Sequence, residues 1–304
     1  MKVLSLFDGI SVARHSLGDR VTEYYSSEID PHAIKVSKKN YPDIKRLGDV
    51  RKVEFIPDLD LLIGGSPCTD LSIAKKDRKG LEGDHSSLFY EYVRVLKLCK
   101  PKYFILENVN SMPKKDRDII TKEMGVEPIM IDAALVSAQS RKRLFWTNIP
   151  VQGLPEDRKI LLKDILEPEA EVDERMVKDG KAYCLTATYC HANATEAGIK
   201  NSVEKKQRTL VQIGHVGNTN SQGQRVYDPN GKSVSLKANG GGGGAKTGLY
   251  KTETKIRKLT PIECERLQSL PDNYTAGISN TQRYKCLGNA FNSEVIKFIV
   301  SFIP

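Results

Sequence analysis

Along the first 150 residues, short apolar segments of strand character alternate with amphipathic segments of about ten residues, and this alternation constrains the fold more than any other feature. Lys2–Phe7 reads as a strand and Tyr24–Glu28 as a second. Pro31, suited to a first helical turn, opens a helix that runs to Asn40 before Pro42 stops it. Leu59–Ile63 is a strand ending in Gly64–Gly65. Between Ser87 and Cys99 the residues Leu88, Tyr92, Val95, Leu96 and Cys99 recur at helical spacing, and Pro101 ends that helix. Tyr103–Leu106, Met130–Ile131 and Leu144–Thr147 complete the strands. Strands separated by helices specify an α/β fold with a mainly parallel sheet. In such sheets ligands bind beyond the carboxyl ends of the strands.

After Pro150 the texture changes. Leu154–Glu174 is an acidic connector with a short helix expected at Ile160–Leu166. Residues 178–256 lack long periodic segments and contain the run Gly240–Gly244, which predicts short strands and long loops in a small recognition domain. Regular structure resumes at Thr260–Pro261, a cap followed by proline at the first helical position, and Ser293–Phe302 reads as an apolar helix or strand that, as a helix, would cover one sheet face. The expected organisation is therefore residues 1–177, a recognition unit at 178–256, and a return segment at 257–304.

Charge supports that division. The chain carries 47 Lys and Arg against 38 Asp and Glu, a net +9, and residues 178–258 alone hold 14 basic and 5 acidic side chains. A polyanion, DNA or RNA, is one physical reading of that excess; a solubilising surface is the other. No stretch approaches the roughly 18 apolar residues of a membrane span. Met1–Asp8 is too short and too acidic for a signal peptide, so a cytoplasmic protein is expected. The six cysteines show no CxxC spacing, and Cys184, Cys190 and His191 match no zinc pattern, so neither a disulfide framework nor a metal site is expected.

The residues able to do chemistry follow the strands. Phe7–Asp8–Gly9–Ile10–Ser11 leads from the first strand into the first helix. Glu28 ends the second, where a carboxylate can accept from two ribose hydroxyls, and Asp49 follows Gly48 at the third. Gly64–Gly65–Ser66–Pro67–Cys68 delivers a cysteine into a loop, and Glu107–Asn108 is expected just past the next strand. In Gln139–Ser140–Arg141–Lys142–Arg143, strand alternation places Arg141 and Arg143 on one side. Taken singly, each of these is a turn or capping residue as readily as a ligand contact.

Taken together they resemble the DNA (cytosine-5)-methyltransferases. Phe7–Asp8–Gly9 resembles the methyl-donor motif, Ser66–Pro67–Cys68 the nucleophile motif, Glu107–Asn108–Val109 the acidic motif and Gln139–Arg143 the arginine motif. Leu259–Thr260–Pro261 with Arg266–Leu267–Gln268 is similar to the motif after the recognition domain, and Gly288–Asn289 to the last one. Gly223–Gln224–Arg225–Val226–Tyr227 and Ser235–Leu236–Lys237–Ala238 resemble the recognition region of bacterial and phage members. The N-terminal half is also similar to the vertebrate de novo methyltransferases. Thr69, where many bacterial members have Gln, and Ala290–Phe291, where Ser–Val is commoner, depart from the pattern.

The resemblance implies a Rossmann-like class I methyltransferase fold with a mainly parallel seven-stranded sheet and a small recognition domain. It implies methyl transfer from S-adenosyl-L-methionine to C5 of a flipped cytosine in a specific duplex DNA sequence, with S-adenosyl-L-homocysteine as product. Cys68 would attack C6, Glu107 would hold the base edge, and Arg143 and Arg141 would hold the extruded nucleotide. Phe7 would stack near the adenine, with Ile10 and Val12 bordering the pocket. Glu28 would take the ribose, Asp49 the adenine amino group, and Ile29, Val50, Pro67, Leu88 and Asn289 would complete the walls. In the recognition region, Arg225 would read guanine, Gln222 would fill the gap left by the cytosine, and Lys237 and Lys246 would hold phosphates. A monomeric, nucleoid-associated bacterial or phage enzyme is expected, with a restriction endonuclease as a separate companion. A catalytically silent DNA-binding homologue and an RNA cytosine methyltransferase are the alternatives.

Overall fold

The computed structural model describes residues 1–66, 88–167 and 259–304, together with 212–215, 225–227, 229–233, 235–236, 249–251 and 256–257. Strand β1 (Lys2–Leu6) lies inside a seven-stranded sheet, third from one edge. It pairs in parallel with β2 (Glu23–Ser27) on one side and β4 (Leu61–Gly64) on the other. Parallel pairing continues outward from β2 to β3 (Lys45–Arg46) and from β4 to β5 (Tyr103–Val109). Beyond β5 the strand β7 (Lys142–Thr147) runs antiparallel and is itself followed by β6 (Ile129–Asp132), giving the order β3–β2–β1–β4–β5–β7–β6. Since β6 is also antiparallel to β7, six strands run one way and β7 alone is reversed. The sheet is mixed, and the carboxyl ends of β1 to β5 share one edge.

The central strands are apolar on both faces because both are covered. Successive side chains alternate between the faces. Leu4 and Leu6 therefore pack with Leu62 and Trp146 on one side, against Phe89, Tyr92 and Val95 of α3 (Leu88–Cys99) and Ile120 and Met124 of α4 (Lys114–Met124). Val3, Leu61, Ile63 and Ile105 face the other way, against Ala13 and Leu17 of α1 (Val12–Leu17). On that face α7 (Ser293–Val300) contributes Val295, Ile296 and Ile299, so the C-terminal helix covers the sheet as its apolar pattern predicts. A third cluster joins Ala33 and Val36 of α2 (Pro31–Asn40) to α5 (Pro261–Leu267) and α6 (Asn280–Asn289).

The helix starts obey local chemistry. Asp30 caps α2, its carboxylate accepting from the N–H groups of His32 and Ala33 at 2.8 and 3.3 Å, with Pro31 at the first helical position. Thr260 and Glu263 form a capping box at α5, each accepting from the other's backbone N–H.

The expected boundaries need correction in three places. Strand β5 does not stop at Leu106 but runs to Val109, held by antiparallel pairing with β7, so Glu107 lies within the strand opposite Phe145. The helix expected at Ile160–Leu166 is a single 3-10 turn, Leu162–Ile165. Residues 229–233 and 235–236, expected in the recognition unit, are hydrogen-bonded to the large unit. Ser233 donates its N–H to Ala138 at 2.7 Å and its carbonyl accepts from Ser140 at 3.0 Å, while Leu236 is buried in the third cluster. The small sheet comprises β8 (Gln212–His215), β9 (Arg225–Tyr227), β10 (Leu249–Lys251) and β11 (Ile256–Arg257), in the order β11–β10–β9–β8. Its last strand crosses the expected boundary at residue 256.

One buried charge holds α5, α6 and their connection together. Glu265 is fully buried and accepts from the N–H and the hydroxyl of Thr275, and from the Arg283 guanidinium at 2.8 Å. Arg283→Met removes the counter-charge and leaves the carboxylate stranded, which should destabilise the protein by about 3–5 kcal/mol. Urea unfolding of this variant should show it, with Glu265→Gln added to Arg283→Met recovering part of the loss; an unchanged midpoint for the single variant would contradict the assignment.

Candidate functional site

A cleft of about 360 Å³ opens at the carboxyl ends of β1, β2, β4 and β5. Its floor is the turn after β1. Phe7, Gly9 and Ser11 all adopt positive φ (56°, 58° and 62°), a conformation Gly takes freely and the other two only under external restraint. The restraint is Asp8. Its buried carboxylate accepts from the Ser11 hydroxyl at 2.6 Å and the Tyr24 hydroxyl at 2.7 Å, and its N–H reaches the Ser27 carbonyl. Burial raises the Asp8 carboxyl above the ordinary carboxylate range, and those hydroxyls oppose the rise.

Glu28, just beyond β2, faces this turn. One carboxylate oxygen accepts from the N–H of Gly9 at 2.8 Å; the other accepts from Ile29 and Asp30 at 2.7 and 2.8 Å. A single side chain thus shapes both the floor and the mouth of the cleft. Ile29, 67% exposed, is an apolar side chain left uncovered at that mouth. Asp49, beyond β3, grips its neighbour Arg51, whose guanidinium holds the Asp49 carboxyl down at about 2. Phe7, Val12, Val50 and Leu88 add apolar wall. Apolar surface beside two carboxylates suits a nucleoside, which presents a flat base and a pair of ribose hydroxyls.

The inner end of the same cleft is different. Glu107 on β5 pairs with Arg143 on β7, Oε1 to Nε 2.8 Å, and both are largely buried. Next to Glu107, Asn108 donates to the Ser66 hydroxyl at 3.2 Å and so braces the chain just after β4. Gly65 is needed there for space: a Cβ would lie 3.0 Å from Oε2 of Glu107 and 3.1 Å from the Phe291 ring. An anchored carboxylate beside a guanidinium can hold the polar edge of a planar base, donor and acceptor side by side.

Helix α6 closes the far wall. Its last residue, Asn289, lines the cleft, as do Lys285 one turn earlier and Cys286. Lys285 pairs with Asp30 at 2.7 Å, tying α6 to the start of α2 across the opening. Arg141 also reaches the cleft but is 4% exposed, with hydrogen bonds into the protein interior.

The cleft thus brings together Phe7, Asp8, Gly9, Val12, Glu28, Ile29, Asp49, Val50, Leu88, Glu107, Arg141, Arg143 and Asn289. Ile10 is not among the residues lining the cleft: its side chain is 1% exposed and packs into the third core cluster. Pro67, Cys68, Gln222, Lys237 and Lys246 lie outside the described residues, and Arg225 opens β9. Sequence reasoning missed Arg51, Asp30, Lys285, Cys286 and Phe291 as cleft residues. The i, i+4 spacing of Lys285 and Asn289 could have signalled the last turn of α6 as that wall.

Comparison with known proteins agrees with this geometry. The model of the C-5 cytosine-specific DNA methylase family matches residues 1–303. The type II methyltransferase M.HhaI of Haemophilus parahaemolyticus is 31% identical over 320 residues, covering 98% of this chain and 93% of the relative. The orphan methyltransferase M.Rho11sI of Bacillus phage rho11s is 29% identical, covering 84% of this chain and 61% of its own length. Among solved structures, the Entamoeba histolytica methyltransferase EhMeth superposes with a TM-score of 0.65 at 15% identity, covering 99% of this chain and 97% of its own, a likeness of fold.

Cys286 gives this geometry a chemical test. Burial pushes its thiol up to about 12, and Cys264, fully buried, is also raised well above the usual thiol range. Neither forms appreciable thiolate at pH 8, so iodoacetamide should leave both unmodified in the native protein and label both after unfolding. Mass spectrometry of the labelled peptides decides; rapid native labelling of Cys286 would show that the α6 wall is open.

Proposed function

Because the chain belongs to the C-5 cytosine-specific DNA methylase family, we propose that this cleft is where it transfers the methyl group of S-adenosylmethionine to C5 of a cytosine turned out of duplex DNA. The observation that carries the reading is that one cleft joins a nucleoside-sized half, with Glu28 and Asp49, to an inner half with the Glu107–Arg143 pair. The sheet order, with one reversed strand beside β5, supports a Rossmann-like class I methyltransferase fold.

The residues present fit the donor. The uncovered Ile29 side chain and the Phe7 and Val50 walls offer apolar contact to an adenine, and Glu28 stands where ribose hydroxyls can donate to it. When bound, S-adenosylmethionine supplies an electrophilic methyl group on a sulfonium. The protein must make C5 of cytosine nucleophilic, and Cys68, two residues beyond Ser66, does so as a thiolate that bonds to C6 and shifts electron density to C5. Glu107 holds the N3 and N4 edge as that charge develops, with Arg143 beside it on the nucleotide. Once C5 carries the methyl group, its proton leaves to a base and the C6–sulfur bond breaks, restoring the aromatic ring and the thiolate. Extrusion of the base costs a few kcal/mol of stacking, which phosphate contacts offset.

The excess charge of residues 178–258 and the small sheet β8–β11 support a recognition module there, Arg225 reading guanine, Gln222 filling the gap, and Lys237 and Lys246 holding phosphates. Bacterial and phage relatives support a cytoplasmic enzyme, which on this reading acts as a monomer apart from any companion endonuclease. No helix among the described residues is long and apolar enough to cross a membrane.

Duplex DNA carrying 5-fluorocytosine at the target should trap the wild-type protein covalently in the presence of donor, since fluorine cannot leave C5 as a proton does. Cys68→Ala should neither trap nor turn over, and turnover by that variant would sink the mechanism. Glu28→Ala should weaken S-adenosylhomocysteine binding at least about tenfold, through lost charge-assisted hydrogen bonds and a loosened Gly9 turn, with DNA affinity measured without donor unchanged. Calorimetric titration checks it; an unaltered dissociation constant would place the ribose elsewhere.

A further inference from the structure

Arg141 and Arg143 enter the cleft side by side, yet their guanidinium groups do different things. Arg143 meets Glu107. Arg141 turns inward: one terminal nitrogen donates to the carbonyls of Gly288 at 3.1 Å and Ala290 at 2.9 Å. These carbonyls flank Asn289, the last residue of α6, where helical carbonyls lack intrahelical partners and a cation is favoured by the helix dipole. The other terminal nitrogen donates to the Leu236 carbonyl at 3.3 Å and the Ser235 hydroxyl at 3.4 Å. A planar, rigid guanidinium therefore fixes the distance between the end of α6 and residues 235–236.

Gln139 repeats the connection. Its Oε1 accepts from the N–H of Leu236 at 3.1 Å, and its Nε2 donates to the Leu267 carbonyl at 3.3 Å. Gln268 in turn donates to the Leu287 carbonyl at 2.7 Å. Two side chains leading into β7 thus fasten the same three segments: the end of α5, the end of α6 and the strip preceding Lys237.

We propose that Arg141 is a positioning residue, one that locks Asn289 and the strip at residues 235–236 to each other so that donor binding and DNA binding reinforce each other, rather than a holder of the extruded nucleotide. This rests on the reading that the segment following the strip contacts DNA. A ligand seated against Asn289 steadies the end of α6; the guanidinium passes that restraint to residues 235–236, and by linkage DNA on the segment steadies the donor wall equally. A phosphate held by both terminal nitrogens of Arg141 would compete with the bonds to the Gly288 and Ala290 carbonyls on either side of Asn289.

The test uses Arg141→Gln and Arg141→Lys in the full chain. The ligands are S-adenosylhomocysteine and a duplex carrying the methylation site mapped in DNA from expressing cells. Calorimetry gives the affinity for S-adenosylhomocysteine, and fluorescence anisotropy at several salt concentrations gives DNA affinity with and without it. Both variants should bind S-adenosylhomocysteine about tenfold more weakly and lose most of the gain in DNA affinity that it confers on the wild type. The slope of log affinity against log salt should not change, whereas loss of a phosphate contact in Arg141→Gln would lower it by about 0.9. Arg141→Lys keeps the charge but cannot span both pairs of acceptors, and serves alone if Arg141→Gln does not fold. A lowered slope with unaltered S-adenosylhomocysteine affinity, or wild-type coupling retained in Arg141→Lys, overturns the proposal. Failure of the wild type to bind duplex DNA would overturn the recognition reading and the coupling with it, and the S-adenosylhomocysteine arm would still decide whether Arg141 sets Asn289.

Discussion

Parallel pairing of β1 with β2 and β4 is the constraint on which the rest depends. It brings the ends of strands distant in sequence to one edge, so that Phe7–Gly9, Glu28 and Gly65–Ser66 become neighbours although Phe7 and Ser66 are 59 positions apart, and β5 then extends the row. The apolar runs of β1, β4 and β5 are buried on both faces, so the polar groups of the cleft gather beyond their carboxyl ends. The site is a consequence of that edge.

Three polar groups that enter the interior take particular partners, and each set of partners fixes a piece of the site. Asp8 collects the Ser11 and Tyr24 hydroxyls and thereby holds a turn of three left-handed residues. Glu265 takes Arg283 and Thr275 and orders the approach to α6. Arg141 spans the end of α6 and residues 235–236. An unpaired member of any of these sets would carry the full desolvation cost of a buried polar or charged group, so the arrangements behave as units. The inner cleft is set by volume as well as charge: Gly65, Glu107 and the Phe291 ring fill one space with no room for a Cβ.

Much of this protein could be read from its chain before any fold was seen. Local rules suffice for the helix at Pro31–Asn40, with Asp30 and Pro31 at its start, and for the capped helix after Thr260, because the deciding interactions lie within four residues. The alternation of apolar strands and amphipathic helices likewise determined the α/β class, and the motif order determined the family. Tertiary structure alone decided what depends on pairing across the chain. The extension of β5 through Glu107 to Val109 is set by β7, 34 to 38 positions further on, and the burial of Ile10 by packing into the third cluster. The attachment of residues 229–233 to the large unit is made by backbone hydrogen bonds, to which composition and charge are blind. The separate destinations of Arg141 and Arg143 follow from acceptors nearly 150 residues away: alternation puts both side chains on one side of a strand, and only the packed end of α6 determines which of them turns inward.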